Sequence, residues 1–252
     1  DSGYDGGLIA AEWRTSLSSR GSEMLHVGHT QVAVDDNGSG VPTLLLHGNP
    51  DTRRMWRPMC DGLTPHLRCI APDLPGFGDT RAALDLVDVS LDGMADWVDG
   101  VLNALHVQEP VNLVVHDFGG PYGLAWAVRH PQRVRRIVII NTLFHADYRW
   151  HFWARVWRTR GLGELSMAML GIPVLGPALL ALTIKLGAPG LTWRQIVETG
   201  RHFGPETRRM VLKLYRATNP ENFPGWEDEM LALTARVPTR VIWGMRDPFI
   251  PQ

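Results

Sequence analysis

The stretch Val111–Gly120, VNLVVHDFGG, constrains the rest of the chain more than any other. Its first half is a short, β-branched apolar run, the composition of a buried strand. The run stops at Asp117 and gives way to Gly119, Gly120, Pro121 and a helix-like GLAWAVR ending at Arg129. Strand, tight turn and helix start therefore meet at one carboxylate. The free N–H groups of a helix N-terminus favour negative charge, which predicts an ionised, exposed Asp117 in a nucleophile's position. An aspartate there is also an ordinary helix cap, and the segment alone leaves both roles open.

The neighbouring segments repeat the pattern. Residues 24–36 alternate like a strand pair turning at Gly28, and Thr43–Leu46 is an apolar strand leaving through His47-Gly48-Asn49-Pro50. Leu67–Ala71 is a strand opening onto the loop DLPGFG, Asp73–Gly78. Ser90–His106 has helical spacing with Ser90 as its cap, and Val134–Ile140 is another buried strand, ending at Asn141. The order strand, loop, strand, helix, strand, helix, strand predicts an α/β fold, a mostly parallel sheet with helices on both faces. In such sheets ligands sit at the carboxyl ends of the strands, where His47–Pro50, Asp117, Asn141 and Asp247 all fall. From Leu143 to Gly225 strand-like runs give way to broken helical patterns, predicting an inserted lid before the strand Thr239–Trp243. The expected division is a core over 1–142, a helical cap over 143–225 and a second piece of core over 226–252.

Length and composition fit that plan. The chain has 252 residues, room for one α/β domain with an insertion. A net charge of −1 points to neither nucleic acid nor an anionic membrane. Cys60 and Cys69, alone in the chain, fit buried apolar positions better than a disulfide or a metal site. The run Leu165–Leu186 has the length of a membrane span, but Pro173, Pro177 and internal glycines divide it into short helices. The opening DSGYD lacks signal-peptide character and sets a cytoplasmic expectation.

Taken together, HGNP at His47–Pro50, DLPGFG at Asp73–Gly78, HDFGG at His116–Gly120 and WGMRDPF at Trp243–Phe249 resemble the α/β-hydrolase superfamily. Within it they resemble the branch with an Asp nucleophile, the haloalkane dehalogenases and epoxide hydrolases. Asp117 stands where the usual G-x-S-x-G elbow has serine, and Val115 where it has the first glycine. A carboxylate, unlike serine, is already anionic and can attack an sp³ carbon to give an alkyl ester that water then hydrolyses. The resemblance implies Asp117 as nucleophile and Asp247 as the acid orienting a histidine, since Asn141, at the alternative acid position, cannot serve. It implies Asn49 as an N–H donor to a leaving halide, whereas Phe118 occupies the place of a second, tryptophan donor. Trp150, Trp153 and Trp157 in the lid are substitutes for that donor. Tyr148 and Tyr215 are the candidates for the proton donor an epoxide hydrolase requires. Trp56 and Phe118 are expected to line an apolar pocket with lid residues.

The family's histidine follows one more strand. The last histidine here is His202, and His145 and His151 near the lid entrance are poor substitutes, so the final strand, the histidine and a C-terminal helix are expected outside this chain. The resemblance implies a hydrolase with no metal and no cofactor, acting with water on a small apolar substrate. Dehalogenation leads on Asn49, and epoxide opening is the alternative. No nucleic-acid or membrane partner is expected, and the oligomeric state is left as monomer or homodimer. A non-catalytic ligand-binding homologue is the reading from another functional class.

Overall fold

The structure, a computed structural model, describes residues 21–143, 147–219, 225–245 and 247–250. Short apolar runs become strands. β1 (Ser22–Val27) and β2 (Thr30–Asn37) form an antiparallel hairpin, Val27 facing Thr30, with Gly28 at φ +53° in the turn. β3 (Val41–Leu46), β4 (Leu67–Pro72), β6 (Val111–Asp117), β7 (Val134–Thr142) and β8 (Thr239–Ile242) run parallel to one another, β2 joins β4 antiparallel, and the sheet order is β1-β2-β4-β3-β6-β7-β8. A two-residue strand that was not foreseen, β5 (Arg81–Ala82), pairs with β2.

Strand alternation divides the core. Leu44 and Leu46 of β3 and Leu113 and Val115 of β6 join one apolar cluster, whereas Leu45 and Val114 join a second with Trp56, Cys60, Cys69 and Ala71. The first is covered by α2 (Leu91–Ala104) and α3 (Gly119–Arg129). Ser90 caps α2 by accepting from the Gly93 N–H at 3.1 Å, and the helix buries Met94, Trp97, Val98, Val101 and Leu102. The second cluster lies under α1 (Arg57–Leu63), entered through a 3₁₀ turn at Arg53–Trp56. The sequence reading had only a loop there, although Met55, Met59 and Leu63 recur at i, i+4 and i+8 and pack against this cluster. It also put Trp56 in the pocket, and the structure corrects this: Trp56 is a core residue of the second cluster. Both cysteines are free and buried, as expected.

Between β7 and β8 the described residues form six helices: α4 (Phe152–Arg158), α5 (Leu162–Met169), α6 (Leu175–Gly187), α7 (Trp193–Arg201), α8 (Pro205–Ala217) and α9 (Trp226–Thr234). The apolar run Leu165–Leu186 is interrupted between α5 and α6, and no helix among the described residues is long and apolar enough to cross a membrane.

A buried ionic cluster joins the loops after β3 and β4. The Arg53 guanidinium, 3 % exposed, pairs with Asp73, with Asp35 at 2.8 Å and with Asp79 at 2.9 Å. Burial pushes the Asp35 and Asp79 carboxyls up, but hydrogen bonds outweigh it, from Ser22, Arg53 and Arg57 on Asp35 and from Arg54 and Arg53 on Asp79, and both lie below the usual carboxylate value. Removing one partner of such a cluster leaves uncompensated buried charge. Arg53→Met should therefore cost about 3–5 kcal/mol in urea unfolding at neutral pH. Lowered carboxyl pKa values contribute stability above the unfolded value of 3.8 and lose it as pH falls through the folded one. The gap between Arg53→Met and the parent should accordingly close as the unfolding series is taken to more acid pH.

Candidate active site

The end of β6 is built by close backbone approach. Asp117 has φ +48°, left-handed for a residue with a side chain, and so turns its carboxylate out of the strand. Thr142 Oγ1 holds the bend by donating to the Asp117 carbonyl at 2.6 Å. The two glycines that follow are there for space. A Cβ on Gly119 would come within 2.5 Å of the Leu46 carbonyl oxygen and 2.6 Å of that of His47, and one on Gly120 within 1.6 Å of Thr142 Oγ1. Gly48, in the loop after β3, faces Asp117 so closely that its Cβ would stand 2.2 Å from the Asp117 Cβ.

Asp117 Oδ1 accepts the Asn49 backbone N–H at 2.7 Å, and the Phe118 N–H also bonds to this carboxylate. The exposed carboxylate expected from the sequence is not what the structure contains. Asp117 is partly covered, and burial raises its pKa, with nearby Asp247 adding to the rise and His116 and the two backbone donors opposing it.

Asp247 sits on the loop after β8. Its Oδ2 accepts from Asn141 Nδ2 at 2.7 Å, and its Oδ1 from the backbone N–H groups of Phe249 and Ile250 at 2.8 and 2.9 Å. Asn141 Oδ1 in turn accepts the Gly244 N–H at 2.8 Å. Asn141, expected only as a pocket residue, is the clasp that fixes Asp247 to the end of β7.

The helices between β7 and β8 supply the opposite wall. Buried Tyr215 of α8 stands edge-on to Phe118, ring centroids 4.9 Å apart, and Asn49 Nδ2 donates to its hydroxyl at 3.4 Å. Trp150 and Trp157 flank it at 5.3 and 4.9 Å, both with indole N–H groups that are buried and unpartnered. Trp153 is not brought to Tyr215: it stacks on Trp157 and meets Phe152, a packing role. Tyr148 directs its hydroxyl to the Phe249 carbonyl at 2.8 Å and so braces the Asp247 loop. His145 lies outside the described residues.

His151 is the residue the sequence reading undervalued. Its Nδ1 accepts the Ala154 N–H as the cap of α4, so the proton sits on Nε2, 3.5 Å from the Tyr215 hydroxyl. Burial lowers its pKa to about 4, which keeps the ring neutral. Its position three residues before a helix N3 was the available signal. His47 is also structural: Nδ1 faces the Gly48 carbonyl and Nε2 accepts the Leu74 N–H, each at 2.9 Å.

With this geometry in place, comparison with known proteins assigns the family. The model for the alpha/beta hydrolase fold matches residues 41–168. The chain belongs to the alpha/beta hydrolase fold family. Over 109 residues it is 38 % identical to a cis-3-alkyl-4-alkyloxetan-2-one decarboxylase of Xanthomonas campestris pv. campestris, covering 41 % of this chain and 36 % of that protein. Over 111 residues it is 35 % identical to a haloalkane dehalogenase of Agrobacterium fabrum, covering 44 % and 36 %. The matched stretch thus spans well under two thirds of these relatives. Two solved hydrolase structures share the fold: a putative ancestral haloalkane dehalogenase (24 % identity, TM-score 0.68, 88 % of this chain and 80 % of that one) and the Cif epoxide hydrolase of Acinetobacter nosocomialis (17 %, 0.75, 96 % and 79 %). The expected α/β-hydrolase fold, with its mostly parallel sheet, is therefore borne out.

A raised carboxyl pKa means that ionised Asp117 costs stability above its folded pKa, and the cost vanishes as pH falls through it. Asp117→Asn should melt higher than the parent at neutral pH, and calorimetry at decreasing pH should find the difference shrinking. Gly119→Ala should instead lower the melting temperature at every pH, since its clash is with backbone.

Proposed function

We propose that the protein is a hydrolase that forms a covalent ester on Asp117 by opening a strained, uncharged C–O ring of the epoxide class. The observation that carries this reading is the Tyr215 hydroxyl, held over Phe118 by Asn49 Nδ2 and faced by the protonated Nε2 of His151. Both neighbours donate, so the phenol's own proton is free for a third partner. Asp117 Oδ2 attacks the ring carbon, the C–O bond breaks, and the phenolic proton passes to the departing oxygen. Burial and the Asp117 charge hold the Tyr215 pKa well above its ordinary value. Ester formation consumes that charge, so the phenol becomes easier to deprotonate as its proton is needed. Asn49 Nδ2 and His151 Nε2 are then placed to hold the phenolate.

Water attacking the ester carbonyl completes the reaction, and the Asn49 N–H already on Oδ1 supports the oxyanion formed there. Asp247, fixed by Asn141, is the acid assigned to orient the base of that step.

A halide-releasing reading is second. The unpartnered indole N–H groups of Trp150 and Trp157, with the Asn49 amide, favour it, because a halide leaving into a dry pocket needs such donors. Phe118, whose side chain carries no N–H, weighs against it.

Intact-mass spectrometry of the 252-residue chain separates these readings. His47 is engaged by the Gly48 carbonyl and the Leu74 N–H, and His151 by the Ala154 N–H and the Tyr215 hydroxyl, so the ester is expected to accumulate. A terminal epoxide should add its whole mass at Asp117, and Asp117→Asn should abolish the adduct. Tyr215→Phe should slow it by about 10²–10³-fold without slowing any reaction with a 1-haloalkane. An adduct from the haloalkane alone would reverse the ranking. No adduct from either would remove Asp117 as nucleophile and favour a ligand-binding homologue.

A further inference from the structure

The lid exposes apolar side chains at the spacing of a buried stripe. In α5, Leu162, Leu165 and Met169 recur at i, i+3 and i+7, and all three are exposed. In α6, Leu175, Leu182 and Leu186 recur at i, i+7 and i+11 and are exposed as well. The connection between the two helices, Gly171–Leu175, is exposed at every residue, with Val174 85 % accessible at its tip. No charged residue falls between Glu164 and Lys185. At the start of α7, Trp193 is exposed with the Lys185 ammonium 5.8 Å from its ring centroid, the pairing of an aromatic and a cation at a water–apolar boundary.

The charge of the lid says what this face meets. Residues 147–219 contain eleven Lys and Arg against four Asp and Glu, a net +7, so the rest of a chain with total −1 carries −8. The near-neutral total, which excluded an anionic membrane at the level of composition, conceals this division. Arg155, Arg160, Arg194 and Arg209 are exposed on the lid. A second copy seated on the same face would bring one net-positive lid against another. A nucleic acid would satisfy the arginines but leave the leucine stripes in water.

We propose that the lid docks on an anionic lipid surface, with the Gly171–Leu175 tip and the α5 and α6 stripes entering the acyl boundary and the arginines meeting lipid phosphates. This is association in the plane of the interface and not insertion across it, consistent with helices too short to span. It does not depend on the reaction assigned to Asp117.

Co-sedimentation of the 252-residue chain with large vesicles tests the proposal. Vesicles of phosphatidylcholine mixed with phosphatidylglycerol should carry the protein down, vesicles of phosphatidylcholine alone should not, and added salt should release it. Arg194→Gln should weaken binding about fivefold and Val174→Asp about tenfold. Both sites are exposed, and the melting temperature of each variant should match the parent. The proposal is overturned by no binding to anionic vesicles, by equal binding to neutral ones, or by binding indifferent to Val174→Asp. Light scattering that finds a lipid-free dimer lost in Val174→Asp would also overturn it and make the face a self-interface.

Discussion

The site depends on how closely three stretches of backbone approach one another at the end of β6. Asp117 leaves its strand with a positive φ, and α3 begins within contact of the carbonyls of Leu46 and His47. Only glycine fits at 119 and 120, and only glycine at 48 leaves room for the carboxylate. Every catalytic geometry proposed above follows from that packing. The donors to the Asp117 carboxylate are backbone groups at positions 49 and 118, so they cannot be moved without moving the strand ends themselves. A site held by backbone is preorganised: it pays no reorganisation cost when charge moves through it.

A second layer stiffens the loops around this point. Neutral His47 bridges the loop after β3 to Leu74, and Asp73 binds the Arg53 backbone N–H at 2.7 Å as well as its guanidinium. Burial lowers the His47 pKa, opposed chiefly by Asp73, which suits a ring used as a donor and an acceptor at once. HGNP and DLPGFG are therefore two halves of one brace. Read as separate motifs they indicate only sharp exits from strands.

What could be read from residues alone follows the range of the interactions involved. Strands, the Gly28 turn, the Ser90 cap and the convergence of His47–Pro50, Asp117, Asn141 and Asp247 at one sheet edge are set by local pattern and by the handedness of βαβ connections, and they were legible. The role of Asn141 as clasp was not, because it depends on a partner 106 positions away. His151 looked peripheral for the same reason: its cap is local, but its second nitrogen meets Tyr215, 64 positions on. Trp56 was misplaced because a tryptophan near a motif reads equally as pocket or core, and only the face of the sheet decides. The exposure of the α5 and α6 stripes was equally hidden, since an amphipathic period shows which residues share a face and not what that face meets.

The proposed reacting pair, Asp117 and Tyr215, is fixed from two independent directions. Asp117 is held by the sheet, but Tyr215 belongs to α8, and α8 is pinned at its other end to the braced loop. Thr207 Oγ1 donates to the Gly76 carbonyl at 2.9 Å, Glu206 accepts the Ala82 N–H at 2.8 Å, and Lys213 Nζ donates to the Val87 carbonyl at 2.6 Å. Gly76, at φ +77°, lets Met210 approach so closely that a Cβ there would stand 2.9 Å from the Met210 Cβ. The Arg53 cluster thus acts on the phenol as well as on fold stability, because it sets the loop from which α8 is hung. Local opening of that loop would carry Tyr215 away from Asp117 and leave the elbow intact, which separates loss of the proton donor from loss of the nucleophile.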